Sequence, residues 1–159
     1  MDEYYSPPSD FLCSIAADEV PLSGSPFAEA NLRRLIGLTR DPDHANRDWA
    51  TFLLAQSDID TAEVREALLM AARANDDIVR DEALSGLAQR DRALALPLVQ
   101  EALRGNSITT PALEAAEYCA HPSLIADLRV WAEPSDDQFI DERAAQALTV
   151  CLAAGAKGQ

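Results

Sequence analysis

Residues 75–91, NDDIVRDEALSGLAQRD, open on acids and run into a stretch whose apolar residues are few and evenly spaced. Asp76 is placed to accept a hydrogen bond from a free backbone N–H of a first helical turn. Asp77, Asp81 and Glu82 suit the positive end of the helix dipole. Val79, Ala83 and Leu87 recur at every fourth position and so share one face. Three such side chains bury too little surface to hold an isolated helix. The helix needs a neighbour on each side.

The neighbours emerge when the pattern is slid along the chain. Asp43, Asp76, Thr109 and Asp137 are all candidate N-caps, and seven residues after each stands an alanine: Ala50, Ala83, Ala116 and Ala144. Eleven residues after each comes Leu54, Leu87, Ala120 or Leu148, and three after each comes Asn46, Val79, Ala112 or Ile140. Between these helices lies a second pattern with columns Val64–Leu94–Leu124, Leu68–Leu98–Leu128 and Ala72–Ala102–Ala132. Its spacing is 30 residues, against 33, 33 and 28 for the first helices, so turn length absorbs the difference. The spacing describes an internal repeat of two helices.

The segments DPDHANRDWATFLLA (41–55), TAEVREALLMAARAN (61–75) and NDDIVRDEALSGLAQ (75–89) resemble HEAT repeats, particularly the short bacterial repeats of the phycobilisome-lyase type. The shared features are an acidic or proline turn, a hydrophobic–Arg pair, then Ala and Leu at helical spacing. Arg47 and Arg80 match the motif's Arg position; Leu113 and Asp141 occupy it later, so a repeated Arg–Asp ladder is expected to be incomplete. The resemblance covers residues 41–134 well and extends weakly to 153. It implies an all-α fold, an α-solenoid (right-handed superhelix) of about three and a half HEAT-like helical repeats. On function it is nearly silent, because such repeats serve many roles.

Periodicity predicts helices near 27–39, 43–56, 61–74, 77–89, 92–104, 110–119, 122–132 and 137–153, joined by turns of Asp, Asn, Gly or Pro. Pro111 stands just inside a helix start, where its missing N–H is harmless. Pro97 is expected to bend or shorten its helix. Residues 1–26 read as an N-terminal arm, partly disordered or packed on the first helices, with its tyrosines and Phe11 as anchors. Residues 27–155 read as the HEAT-like domain. The last helix lacks a partner on one flank, and Phe139, Val150 and Leu152 either fold back onto the helix of 122–132, the favoured expectation, or form a self-association or partner surface.

Cys13, Cys119 and Cys151 form no CxxC pair and are odd in number, which argues against a disulfide framework or a zinc site. The arm has neither the basic start nor the apolar core of a secretory signal. These features place the chain in a reducing cytoplasm. Catalysis by Cys119 would want a cation beside it, and His121 two residues on points elsewhere on a helix. His44 lies in the acidic turn DPDHANRD, a turn that recurs without histidine, so it reads as part of a cap and not as a metal ligand. Asp76–Asp77 and Asp136–Asp137 stand at helix starts and read as solvated. No catalytic constellation, no metal site and no cofactor is expected.

Charge is the strongest functional signal. Thirteen basic residues face 27 acids, for a net charge of −14. Residues 1–26 contribute −5, 27–105 contribute −4 and 106–155 contribute −6. A nucleic-acid binder needs cations along the phosphate track, and apart from Arg33–Arg34 no arginine cluster escapes its neighbouring acids. Neither nucleic acid nor membrane is expected as a partner. An acidic surface suits a protein partner with a basic surface, and a monomer is expected over a homo-oligomer. The expected activity is non-catalytic protein binding, as an immunity or inhibitor protein for a basic toxin or as an adaptor in a complex. The alternative implied by the resemblance is a chromophore lyase or related maturation factor. In stacked repeats of this kind the second helices line the concave side, so the partner-binding residues are expected to be Glu63, Glu66, Arg73, Glu101, Asp127 and Trp131. Trp49 reads as a structural plug against the helix of 27–39.

Overall fold

The computed structural model describes residues 6–157, and every regular element among them is helical. Helices α1 (Asp10–Ala16), α2 (Pro26–Leu38), α3 (His44–Gln56), α4 (Ala62–Ala71) and α5 (Asp77–Arg90) make the first half. Then come α6 (Arg92–Leu103), α7 (Thr110–Cys119), a 3-10 turn at Pro122–Leu124, α8 (Ile125–Trp131) and α9 (Gln138–Lys157). The arm therefore carries a short helix. Leu12 of α1 is fully buried, and the guanidinium of Arg34 lies 4.1 Å above the ring of Phe11. Tyr4 and Tyr5, expected as anchors, lie outside the described residues.

The helix starts stand where the capping residues put them. The side chain of Asp43 accepts from the N–H of Asn46, Asp76 from Ile78 and Val79, and Thr109 from Ala112. Asp137 accepts from Ile140 at 3.2 Å. Each such cap stabilises its helix by about 1 kcal/mol. Asp91 is shared: it ends α5 and caps α6, accepting from the N–H of Leu94.

Packing follows the two-helix repeat. α2 lies on α3, α3 on α5, α5 on α7 and α7 on α9; α4 covers α3 and α5, α6 covers α5 and α7, and α8 packs on α9. Ala50, Ala83, Ala116 and Ala144 are all fully buried at the helix crossings. Small side chains at these points let the backbones approach, and at Gly86 the approach is closest. A Cβ built there would lie 2.6 Å from the Cβ of Ala55 and 2.8 Å from its Cα. Glycine is required at that crossing.

Three sequence expectations give way. The column Leu94–Leu98–Ala102 is not the inner face of α6. Its fully buried or nearly buried residues are Ala95, Val99 and Leu103, one position on, and Leu94 is exposed. The one-residue joint at Asp91 fixes how α6 leaves α5, and the resulting roll turns Pro97 to the exposed side. Ala120 is not a stripe residue: it ends α7 in the left-handed conformation, φ 49°. At the C-terminal end, Phe139 is 60% exposed and Leu152 41%, so neither folds back onto the neighbouring helix. The inner face of α9 is instead Ala144, Ala147 and Cys151.

Candidate binding face

Helices α4 and α6 both lean on α5, and between the turn that follows α4 and the later part of α6 opens a groove of about 540 Å³. Leu84, Leu98 and Ala102 contribute its apolar lining, with Arg73, Asp77, Arg80 and Glu101 among its charged residues. A second hollow of about 390 Å³ is lined from α2 by Leu32 and Arg33 and from the start of α4 by Thr61 and Glu63.

The expected binding residues are distributed over these features and do not form one constellation. Arg73 and Glu101 meet at the α4–α6 groove, and Glu63 belongs to the hollow beside α2. Glu66 is exposed on α4. Asp127 on α8 is half-buried and lies 3.3 Å from the Arg104 guanidinium. Trp131 packs partly buried against the core, and its indole N–H donates to the carbonyl of Leu103 at 2.7 Å. It ties α8 to the end of α6.

Arginine does more structural work than the repeat pattern indicates. Arg47 donates to the carbonyls of Asp41 and Pro42 at 2.9 and 2.8 Å, closing its own turn. Arg80 instead bridges Asp77 and the buried Asp81, each at 2.9 Å, and Asp81 accepts from the Thr109 hydroxyl at 2.8 Å. That chain of bonds joins α5 to the cap of α7. Arg90, which no column singles out, spreads its guanidinium over the end of α3 and the turn after it. It donates to the carbonyls of Leu54, Ala55, Ser57 and Ile59, and to Gly86 on its own helix. Carbonyls at and beyond a helix end have no partner in the next turn of their own helix, and Arg90 supplies donors for them. The sequence signal was present, a basic residue in the last turn of α5, but its acceptors lie over thirty positions back.

Two of the three thiols are not poised for chemistry. Cys119 and Cys151 are buried, and burial pushes the Cys119 thiol up to about 11 and raises that of Cys151. A nucleophilic cysteine needs the opposite shift. Among the described residues no group of three His, Cys, Asp or Glu side chains is placed to hold a metal ion, and no helix is long and apolar enough to cross a membrane. His44 reaches from α3 to the cap of α5, with Nδ1 3.0 Å from the Asp76 carboxylate.

No family model matches the chain. Over 112 residues it is 27% identical to the protein YibA of Escherichia coli K12, and equally to YibA of Escherichia coli O157:H7. The alignment takes in 70% of this chain but 40% of those proteins, so the chain spans about half the length of the curated relatives it matches. The crystal structure of Escherichia coli YibA superposes on 85% of this chain and 54% of its own, with a TM-score of 0.62 at 23% identity. That likeness is one of fold.

Proposed function

We propose that the chain is a curved α-solenoid of about three and a half HEAT-like repeats, and that it acts as a non-catalytic module binding a basic protein across α4 and α6. The stacking of α3, α5, α7 and α9, each on the next, supports the solenoid reading. One observation carries the binding reading. Glu63, Glu66 and Glu101 are exposed and enter no ion pair among the described residues, whereas Asp60, Asp77, Asp81 and Asp127 are each matched by an arginine. Internal pairing has neutralised those four acids, while these three are left to solvent. Unpaired exposed carboxylates attract a basic surface and speed encounter with it.

Neutralising a basic toxin as an immunity protein, or joining subunits as an adaptor, are the two forms such binding would take in the cytoplasm. The strong negative charge favours the first. The test is capture of partners from the native host followed by stopped-flow association. Reversing Glu66 and Glu101 together (E66K/E101K) should slow association by about tenfold at low ionic strength and flatten its salt dependence. Unchanged association with a captured basic partner removes the α4–α6 face as the interface, and capture of acidic partners alone removes the reading altogether.

A further inference from the structure

At the far end of the molecule, α9 turns Ala144, Ala147 and Cys151 inward, with the Cys151 thiol 3.8 Å from the Ala116 carbonyl of α7. Gly155 faces Pro122 and Ile125. The opposite side of the helix is exposed along its length, at Gln138, Glu142, Ala145, Thr149, Leu152 and Ala156. These positions are spaced alternately by four and three, the seam by which two helices pack side by side. Phe139 and Leu152 are the large apolar side chains on this side, and both are exposed. At the start of the helix Glu133, Asp136 and Asp137 form an exposed acidic turn, and at its end stands Lys157, also exposed. None of these four charges enters an ion pair among the described residues.

We propose that this face pairs with the same face of a second copy of the chain, the two α9 helices running antiparallel about a two-fold axis level with Ala147. In such a pair each residue stands level with the partner residue equally far beyond the axis. Leu152 and Glu142 both lie five positions from Ala147, and Thr149 and Ala145 both lie two. Each Leu152 therefore enters between the partner's Glu142 stem and its small Ala145. At about 100° per residue, Phe139, Ala153 and Lys157 fall on one flank of the seam and Leu152 and Ala145 on the other. A two-fold of this kind brings like flanks together, so Phe139 packs on the partner's Ala153 and Ala156, whose methyls leave room for a ring. Lys157 lies ten positions after the axis, level with the partner's Asp137. The ammonium of each copy thus faces the acidic turn of the other, beside a Phe139 ring whose face attracts a cation.

The register is specific. Slipping it by one heptad puts Lys157 level with the partner's Ala144 or Val130 and takes it off the acidic turn. Size and charge set the strength. A helix of this length offers a face about 30 Å long and about 10 Å wide, well short of the roughly 800 Å² per partner of a stable interface. Each copy also carries a net charge of −14, which opposes approach at long range. The dimer is therefore weak, with a Kd on the order of 100 µM, and at low concentration the monomer expected from the sequence prevails. The inference does not depend on the α4–α6 face binding anything.

Sedimentation equilibrium of the full chain, from about 10 µM to about 1 mM, brackets that Kd. The weight-average mass should climb from 17.2 kDa toward twice that value as concentration rises. Phe139→Asp with Leu152→Asp should hold it at 17.2 kDa, with the helical circular dichroism unchanged because both side chains are exposed. The register is read by cross-linking in a Cys13→Ser background with oxidised glutathione as oxidant. Chains carrying A145C, mixed with chains carrying T149C, should join mainly to one another. A mass of 17.2 kDa over the whole range, a dimer that survives both aspartates, or A145C chains joining to themselves as readily as to T149C chains would each overturn the proposal. The mass measurement uses the wild-type chain and stands even if a variant fails to fold.

Discussion

Gly86→Ala is the substitution for which local and tertiary effects pull in opposite directions. Glycine within a helix costs about 1 kcal/mol relative to alanine, so on helix propensity the change is stabilising by that amount. The new Cβ, however, would sit 2.6 Å from the Cβ of Ala55 and 2.8 Å from its Cα. Non-bonded carbons rest about 3.5–4.0 Å apart, so α3 and α5 must part by roughly 1 Å. The obstructing atoms are a backbone carbon and the methyl fixed to it, and neither can rotate away. Parting is resisted by Arg90, which binds the Gly86 carbonyl of α5 at 2.8 Å and the Leu54 and Ala55 carbonyls of α3 at 3.2 Å. Overpacking of about 1–3 kcal/mol, together with these stretched bonds, outweighs the propensity gain. The expected net loss is about 1–2 kcal/mol, or a Tm lower by about 2–8 °C for a chain of this size. Thermal unfolding followed by far-UV circular dichroism measures it. In an Ala55→Gly background, where the 2.6 Å contact is gone, Gly86→Ala should cost less. A Tm equal to or above that of the parent would show that α3 and α5 are not in contact here, and the close crossing would be wrong.

Arg90→Met keeps the stem and removes the guanidinium, taking its donors from the carbonyls of Ala55, Ser57 and Ile59 and one of several from that of Leu54. The expected cost is about 2–4 kcal/mol by urea unfolding, and Arg90→Lys should recover less than half, since one ammonium cannot span the fan. Glu82 gives a pH dependence of definite sign. Its folded pKa, raised to about 9 from an ordinary 4.5, makes the protonated carboxyl a stabilising feature that is fully present below the unfolded value and lost as pH rises toward 9. Between about pH 6 and 8 the wild type should therefore lose up to about 1.4 kcal/mol per pH unit relative to Glu82→Gln, read as the difference in urea midpoints. Parallel midpoints would show that Glu82 is not protonated in the folded state.

Much of the fold was legible because capping and periodicity are local. Asp43, Asp76, Thr109 and Asp137 cap helices where their side chains can reach free N–H groups, and the alanine seven residues on is buried in every case. The proposed binding face was legible only as exposed charge on the second helices. Spacing could place Glu66 and Glu101 outward, but it could not tell an anchor from a strut. Trp131 donates its N–H to Leu103, a bond set by how α8 meets α6.

What the sequence determined by itself is the helical content, the starts of the helices and the repeat, because each depends on residues within a turn or two of one another. What the tertiary structure decided is how the helices roll and meet. Asp91, as a one-residue joint, turns α6 by one position so that Ala95, Val99 and Leu103 face inward. Gly86 is a weak helix former until Ala55 stands against it, and Arg90 is a surface cation until the end of α3 supplies its carbonyls. Asp48 and Glu82, 34 positions apart, come to wall one hollow only because α3 and α5 lie side by side. Helix propensity and capping act over a few residues, whereas desolvation, steric contact and hydrogen bonding between helices depend on distances the chain acquires only by folding.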